Sequence, residues 1–247
     1  MSLLRKCNLV GACGLRTLAC AFVFVLFSIT VNAMSIEPVL VELSQARRIA
    51  SVTISNSSNR SQTFQTELLS WQQLDGNNHY EKTDRLQVVP PIAEIPPGAS
   101  QIFRVALRGK LLAVNEETYR LIFEDITEST EKQTSESVVN LRFRYDLPVF
   151  VAGSGKAGPK PRLGACASPA PSGCVRLDNE GDRFVQVNRL TVEGGTWHKE
   201  MVLGNRVLAG AWKQWTFDWP ANYAGSLTVN AETSAGPLSI ELPAERR

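Results

Sequence analysis

Histidine is nearly absent: His79 and His198 are the two in a chain of 247 residues. That excludes an imidazole-based metal centre, which needs several His or Cys ligands brought together. Acidic residues are missing before Glu37, where Arg5, Lys6 and Arg16 carry all the charge. Excess positive charge is also lacking. Lys and Arg number 26 against 24 Asp and Glu, a net +2, which removes the electrostatic footprint of a nucleic-acid binder. No G-x-S-x-G, P-loop or H-E-x-x-H run occurs, so the common hydrolase, nucleotide and zincin chemistries have no basis in the sequence. Glu116-Glu117 and Glu124-Asp125 do not replace them, because neighbours on a strand point to opposite faces and cannot converge on one substrate. The chain reads as a non-enzyme with no cofactor and no metal.

What is present begins with an apolar run, Leu18–Ala33, after the basic segment, ending in the small-x-small triplet Val31-Asn32-Ala33. This is the pattern of a secretory signal cleaved after Ala33. The alternative is an uncleaved anchor, for which the run is short against the roughly 20 residues of a full span. Cleavage removes Cys7, Cys13 and Cys20 and leaves Cys166 and Cys174. An even pair in an exported chain predicts a disulfide closing a short loop.

Residues 34–151 read as strands. Val39–Leu43, Ser51–Asn56, Thr63–Trp71, Leu86–Pro91, Ile92–Gly109, Glu117–Ile126 and Ser137–Val151 are apolar at alternate positions and are separated by turn residues. No segment repeats at the helical period. Seven short strands at this spacing predict a β-sandwich. Residues 152–164, rich in Gly, Pro and Lys, read as a linker. Residues 165–247 again alternate between short strands and Gly, Asn or Pro, which predicts a second β domain. The fold class is therefore all-β, with two sandwich domains. Trp212, Trp215 and Trp219 read either as core and sheet-edge aromatics or as a sugar-stacking platform. The platform would make the chain a secreted carbohydrate-binding or adhesin protein.

The last strand before the linker carries the sharpest signal. Val139, Leu141, Phe143, Tyr145 and Leu147 fall on one face, and Asn140, Arg142, Arg144 and Asp146 on the other. Such a strand either faces its own core or is an edge offered to another chain, which would extend it through main-chain hydrogen bonds.

The blocks IEPVLVELSQARRIASVTISNSS, PPIAEIPPGASQIFRV, EETYRLIFEDI and LRFRYDLPVFV resemble, in order and spacing, those of the periplasmic pilus (fimbrial) chaperones. These PapD-like proteins work with outer-membrane ushers. The RYDLPVFV ending and VLAGAWKQW (Val207–Trp215) most resemble the archaic, Csu-type branch. The resemblance implies two immunoglobulin-like domains in an L or boomerang arrangement. It also implies a periplasmic location, pilus subunits and an usher as partners, and self-association of the free form as an open question. The donated strand would present Val139, Leu141, Phe143 and Tyr145 to a groove in the subunit. The family's two cleft cations hold the subunit's C-terminal carboxylate. At the first of these positions this sequence has Leu40. The second falls on Asp146 or, in the alternative alignment, on Arg144, with Arg142 next. Glu116 matches a family position in an interdomain ion network whose Arg partner has no counterpart here.

Overall fold

Alternating hydropathy becomes alternating burial. The computed structural model describes residues 34–111, 113–128, 142–166, 173–220 and 223–244; the leader reading on 1–33 lies outside them. In β3 (Ile49–Asn56) Ala50, Val52 and Ile54 are buried while Ile49 and Ser51 are exposed. The same period turns Phe103 and Val105 of β8 (Ser100–Leu107) and Leu121 and Phe123 of β9 (Glu117–Asp125) inward. Phe103 and Phe123 meet edge-on, with ring centroids 4.9 Å apart, the arrangement the ring quadrupoles favour.

These strands form two facing sheets. One has the order β1-β3-β8-β6, where β1 is Met34–Glu37 and β6 is Leu86–Val89. The other has the order β2-β10-β9-β4-β5, with β2 at Val41–Leu43, β4 at Gln62–Leu74, β5 at Asn77–Lys82 and β10 at Arg144–Val151. A short β7 (Ile92–Ile95) pairs with the start of β4. The sequence pattern missed β1 and β5. β5 is exposed along its whole length, so it has no apolar alternation, and its pairing with β4 alone makes it a strand.

The second sandwich packs β11 (Pro161–Ala165), β12 (Gly173–Asn179) and β15 (Trp212–Phe217) against β14 (Trp197–Val207), β13 (Val185–Gly194), β16 (Leu227–Thr233) and β17 (Gly236–Leu242). Val175, Leu177, Val187, Val192, Leu227 and Val229 fill its core. The expected linker 152–164 needs correction. Pro161–Ala165 pairs with β12, so the connection ends at Lys160. Its residues Gly153-Ser154-Gly155-Lys156-Ala157-Gly158 spell G-x-G-x-x-G, but a strand and not a helix follows, so no helix N-terminus is present to hold a phosphate. Cys166 and Cys174 are bonded, with Cα atoms 5.6 Å apart.

The two sandwiches share one corner device. Asn56 ends β3 with its amide N–H bonded to Ala99 O at 2.9 Å, and its carbonyl accepts from Gly98 N–H at 2.7 Å. Its side chain donates to Arg60 O and Ile95 O, both at 2.8 Å, and accepts from Ser58 N–H at 3.0 Å. Asn179 ends β12 in the same way. Its N–H bonds to Ala211 O and its carbonyl accepts from Gly210 N–H, both at 2.9 Å. Its side chain donates to Arg183 O at 2.7 Å and to Val207 O and Leu208 O, both at 3.1 Å, and accepts from Gly181 N–H and Lys160 N–H, both at 3.1 Å. Gly98 and Gly210 turn at φ 70 and 71, a region that disfavours a side chain. Asn56-Ser57-Ser58-Asn59-Arg60 and Asn179-Glu180-Gly181-Asp182-Arg183 are thus one motif used twice.

Both asparagines are 1% exposed, so their removal strands buried carbonyls. Asn56→Ala and Asn179→Ala are each expected to cost at least about 1–3 kcal/mol, read from urea unfolding curves. A loss below about 0.5 kcal/mol in either would mean that the glycine turn holds that corner alone.

Candidate functional site

Among the described residues β10 is paired along one edge and half open along the other. It runs antiparallel to β9 over its full length, from Arg144 opposite Glu124 to Val151 opposite Glu117. On its other side β2 runs parallel to it and covers only Val149–Val151. Asp125 N–H donates to Phe143 O, and Ala152 N–H donates to Leu43 O, both at 2.9 Å. Odd-numbered residues therefore direct their backbone groups to β9, and even-numbered ones to the β2 side. The backbone of Arg144 and Asp146 and the carbonyl of Pro148 line the open stretch. Proline suits that edge, since it has no N–H to leave unpaired.

Side chains follow the same parity. Leu147, Val149 and Val151 enter the first core, and Tyr145 packs at its rim with its ring 6.2 Å from Phe64. Burial, and then the nearby Asp125 carboxylate, push the Tyr145 phenol up in pKa. Phe143 lies beyond, 45% exposed, stacked 6.3 Å from Tyr145. Of the expected strand Ser137–Val151, Arg144–Val151 forms β10 and Arg142 and Phe143 precede it, while Val139 and Leu141 lie outside the described residues. Arg142, Arg144 and Asp146 are exposed. The structure thus brings Phe143 and Tyr145 together and leaves Arg142 and Arg144 at the rim.

The opposite face of the same sheet meets the second sandwich. Phe150 joins the second core cluster and stacks on Phe184, with centroids 4.1 Å apart and planes 18° apart. Leu40 packs against that cluster with Trp71, so the position of the first expected cation fills apolar space. Gln73 spans the junction. Its Oε1 accepts from Leu208 N–H and its Nε2 donates to Arg206 O, both at 2.9 Å.

Two arginines that the sequence did not single out converge here. Arg120 of β9 lies with its guanidinium 3.9 Å over the Trp71 ring and 3.4 Å from Asp146 Oδ1. Its side chain is 15% exposed. Arg206 of β14 reaches over Phe150 and Phe184 at 6.0 and 5.8 Å. The Nε of each is buried and makes no hydrogen bond among the described residues. Burial, and then repulsion from Arg120, lower the pKa of Arg206. Hydropathy marks Arg120 only as an outward-facing strand position, and nothing local links it to Arg206.

The tryptophans do not form a platform. Trp212 and Trp215 are three residues apart on β15 and so face opposite sides. Trp212 packs against Gly76 of the first sandwich, where an added Cβ would sit 2.8 Å from the ring, and Arg176 covers it at 4.0 Å. Trp215 Nε1 donates to Asn205 Oδ1, and Trp219 Nε1 donates to Tyr223 O, both at 3.1 Å. His79 and His198 are exposed. Among the described residues no group of His, Cys, Asp and Glu could hold a metal ion, and no helix is long and apolar enough to cross a membrane.

If Gln73 is a true tie across the junction, Gln73→Ala should destabilise the protein by about 1–3 kcal/mol, because it leaves the Leu208 N–H and the Arg206 carbonyl without partners. Urea unfolding beside Gln72→Ala, an exposed neighbour, checks this. Equal midpoints for the two variants would remove Gln73 from the account.

No curated protein matches the sequence. Among solved structures, the chain resembles a chain of the CsuC–CsuE chaperone–tip adhesion subunit pre-assembly complex from the archaic chaperone-usher Csu pili of Acinetobacter baumannii. The TM-score is 0.65 at 18% identity, covering 85% of this chain and 98% of that one. It resembles a chain of the Salmonella enterica SafA pilin–SafB chaperone complex with TM-score 0.59 at 14% identity, covering 86% and 97%. It resembles the E. coli chaperone DraB with TM-score 0.56 at 16% identity, covering 87% and 98%. These likenesses establish the all-β fold of two immunoglobulin-like sandwiches. Residues 33–155 match the family model described as pili and flagellar-assembly chaperone, PapD N-terminal domain, and the chain belongs to that family of pilus-assembly chaperones.

Proposed function

We propose that this protein holds pilus subunits in the periplasm by lending them β10 and its upstream extension, and delivers them to an outer-membrane usher. The observation that carries the reading is the edge of β10 from Arg144 to Pro148, which no described strand covers, while the other edge of β10 is fully paired with β9. An exposed edge of this kind is a template for strand addition. Val139, Leu141, Phe143 and Tyr145 would supply the side chains that enter the subunit's groove, and main-chain pairing along Arg144 and Asp146 would set the register. The complexes of a chaperone with a tip subunit and with a pilin among the similar structures support a subunit as the partner.

A subunit's terminal carboxylate needs cations in the cleft. Arg144 and Arg142, the candidates read from the sequence, are exposed and would hold it weakly, because solvent screens such pairs. Arg120 and Arg206 have better support, being sheltered, mutually repulsive and short of hydrogen-bond partners. Arginine suits the task through its two-pronged geometry.

Phe143→Glu tests the lending role. A charge forced into an apolar groove costs several kcal/mol, so capture of the cognate pilus subunit should be lost. The melting curve by circular dichroism should stay unchanged, because Phe143 is 45% exposed. A folded variant that still captures the subunit would refute donation, and an unfolded one would return Phe143 to the core.

Arg120→Gln and Arg144→Ala test the anchor. Loss of a sheltered charge partner costs roughly 2–5 kcal/mol in binding, so Arg120→Gln should weaken capture at least about 30-fold. Arg144→Ala should change it only a few-fold. The reverse ranking would restore Arg144 as the anchor.

A further inference from the structure

The corner motif repeated in the two sandwiches has different surroundings in each. In the first sandwich, Ser57, Asn59 and Arg60 are exposed. In the second, Gly181 and Asp182 are buried because the loop is docked on both the connection and the first sandwich. Asp182 Oδ2 accepts from Ala157 N–H at 2.8 Å, and Glu180 N–H donates to Lys160 O at 3.0 Å. From the first sandwich, Glu116 N–H donates to Asp182 O at 2.8 Å. The Glu116 carboxylate oxygen Oε2 accepts from Phe184 N–H at 3.0 Å.

That carboxyl is poorly compensated. It makes no ion pair among the described residues. It lines a cavity of about 240 Å³ with Glu42, Arg47, Phe150 and Arg183. Glu42 comes from β2, Arg47 from the turn that follows it, and Asp182 and Arg183 from the docked loop. Glu42 and Asp182 oppose a charge on Glu116, and Arg183 favours one. Phe184, whose N–H the carboxyl receives, is also the ring stacked on Phe150. The polar bond and the aromatic stack therefore engage or release the same residue.

We infer that Glu116 is a proton-controlled latch between the two sandwiches: neutral, it holds the Asn179–Phe184 loop docked, and ionised, it loosens that loop and the Phe150–Phe184 stack. Burial pushes this carboxyl up to about 7 from an ordinary 4.5, and the Phe184 N–H and Arg183 oppose the shift only in part. Because the docked form holds the proton more tightly, its extra stability is complete below about 4.5 and is lost as pH rises through about 7. Between pH 5 and 8 that linkage corresponds to a roughly 70-fold change in the docking equilibrium. The backbone bonds from Gly155 N–H to Val114 O at 2.8 Å and from Ser154 N–H to Ala113 O at 3.0 Å do not titrate. They keep the connection tied while the latch opens.

The test uses nitroxide labels at Ser51→Cys and Val202→Cys, exposed positions on the two sandwiches, with distances read by pulsed electron–electron resonance from pH 5 to 8. The Phe184 amide resonance is followed in parallel. Both readouts should titrate together near pH 7, with the distance distribution broadening at high pH. Glu116→Gln should keep a narrow distribution throughout. Arg183→Ala, at an exposed site, should move the midpoint upward by removing the cation that favours ionisation. A midpoint near 4.5, a pH-independent wild type, an unchanged Arg183→Ala midpoint, or a Glu116→Gln protein that still broadens would each overturn the latch.

Discussion

The pairing of β2 with the last three residues of β10 governs the rest of the molecule. By covering Val149–Val151 and stopping there, β2 leaves the backbone of Arg144 through Pro148 without a neighbour on that side among the described residues. Had it extended farther, β10 would be an ordinary interior strand and its polar groups would be satisfied within the sheet. The same pairing fixes parity. Val149 and Val151 go to the first core, so Phe150 must go to the opposite face, where it meets Phe184. One short parallel contact thus positions both the open edge and the aromatic centre of the junction.

Around that centre the junction is held by dissimilar interactions. Apolar contact comes from Leu40, Trp71, Phe150 and Phe184. Directional bonds come from Gln73 on one side and Glu116 on the other. Arg120 and Arg206 add charge that their surroundings do not fully neutralise, since the Asp146 carboxylate paired with Arg120 is itself 47% exposed. Burying charge without full pairing works against stability.

The repeated asparagine corner sits in different surroundings in the two sandwiches. In the first sandwich the loop after Asn56 closes a turn with Ser57, Asn59 and Arg60 exposed. In the second, the loop after Asn179 also carries Asp182 against the connection and presents the Phe184 N–H to Glu116. The main hydrogen bonds that shape the two loops correspond, from the asparagine side chain to the carbonyl four residues on and from the N–H two residues on to its oxygen. What differs is the neighbour against which each loop lies.

Much of the fold was legible because alternation is local. Val52 and Ile54, or Leu121 and Phe123, face one way wherever their strand ends up, since successive side chains on a strand point to opposite faces. The paired Cys166 and Cys174 were legible by parity and are bonded. β5 and β11 were not legible, because an all-exposed strand and a Pro-Gly-rich one carry no periodic signal and exist through the pairing of distant partners. For the candidate site, the sequence determined that Phe143, Tyr145 and Leu147 share a face, and that Leu40 is no cation. Only the tertiary structure decided that the edge beside Arg144 and Asp146 is open, that Arg120 meets Arg206, and that Glu116 faces Phe184. Those facts depend on which strands become neighbours, a choice made by the packing of the whole sheet and not by any short run of residues.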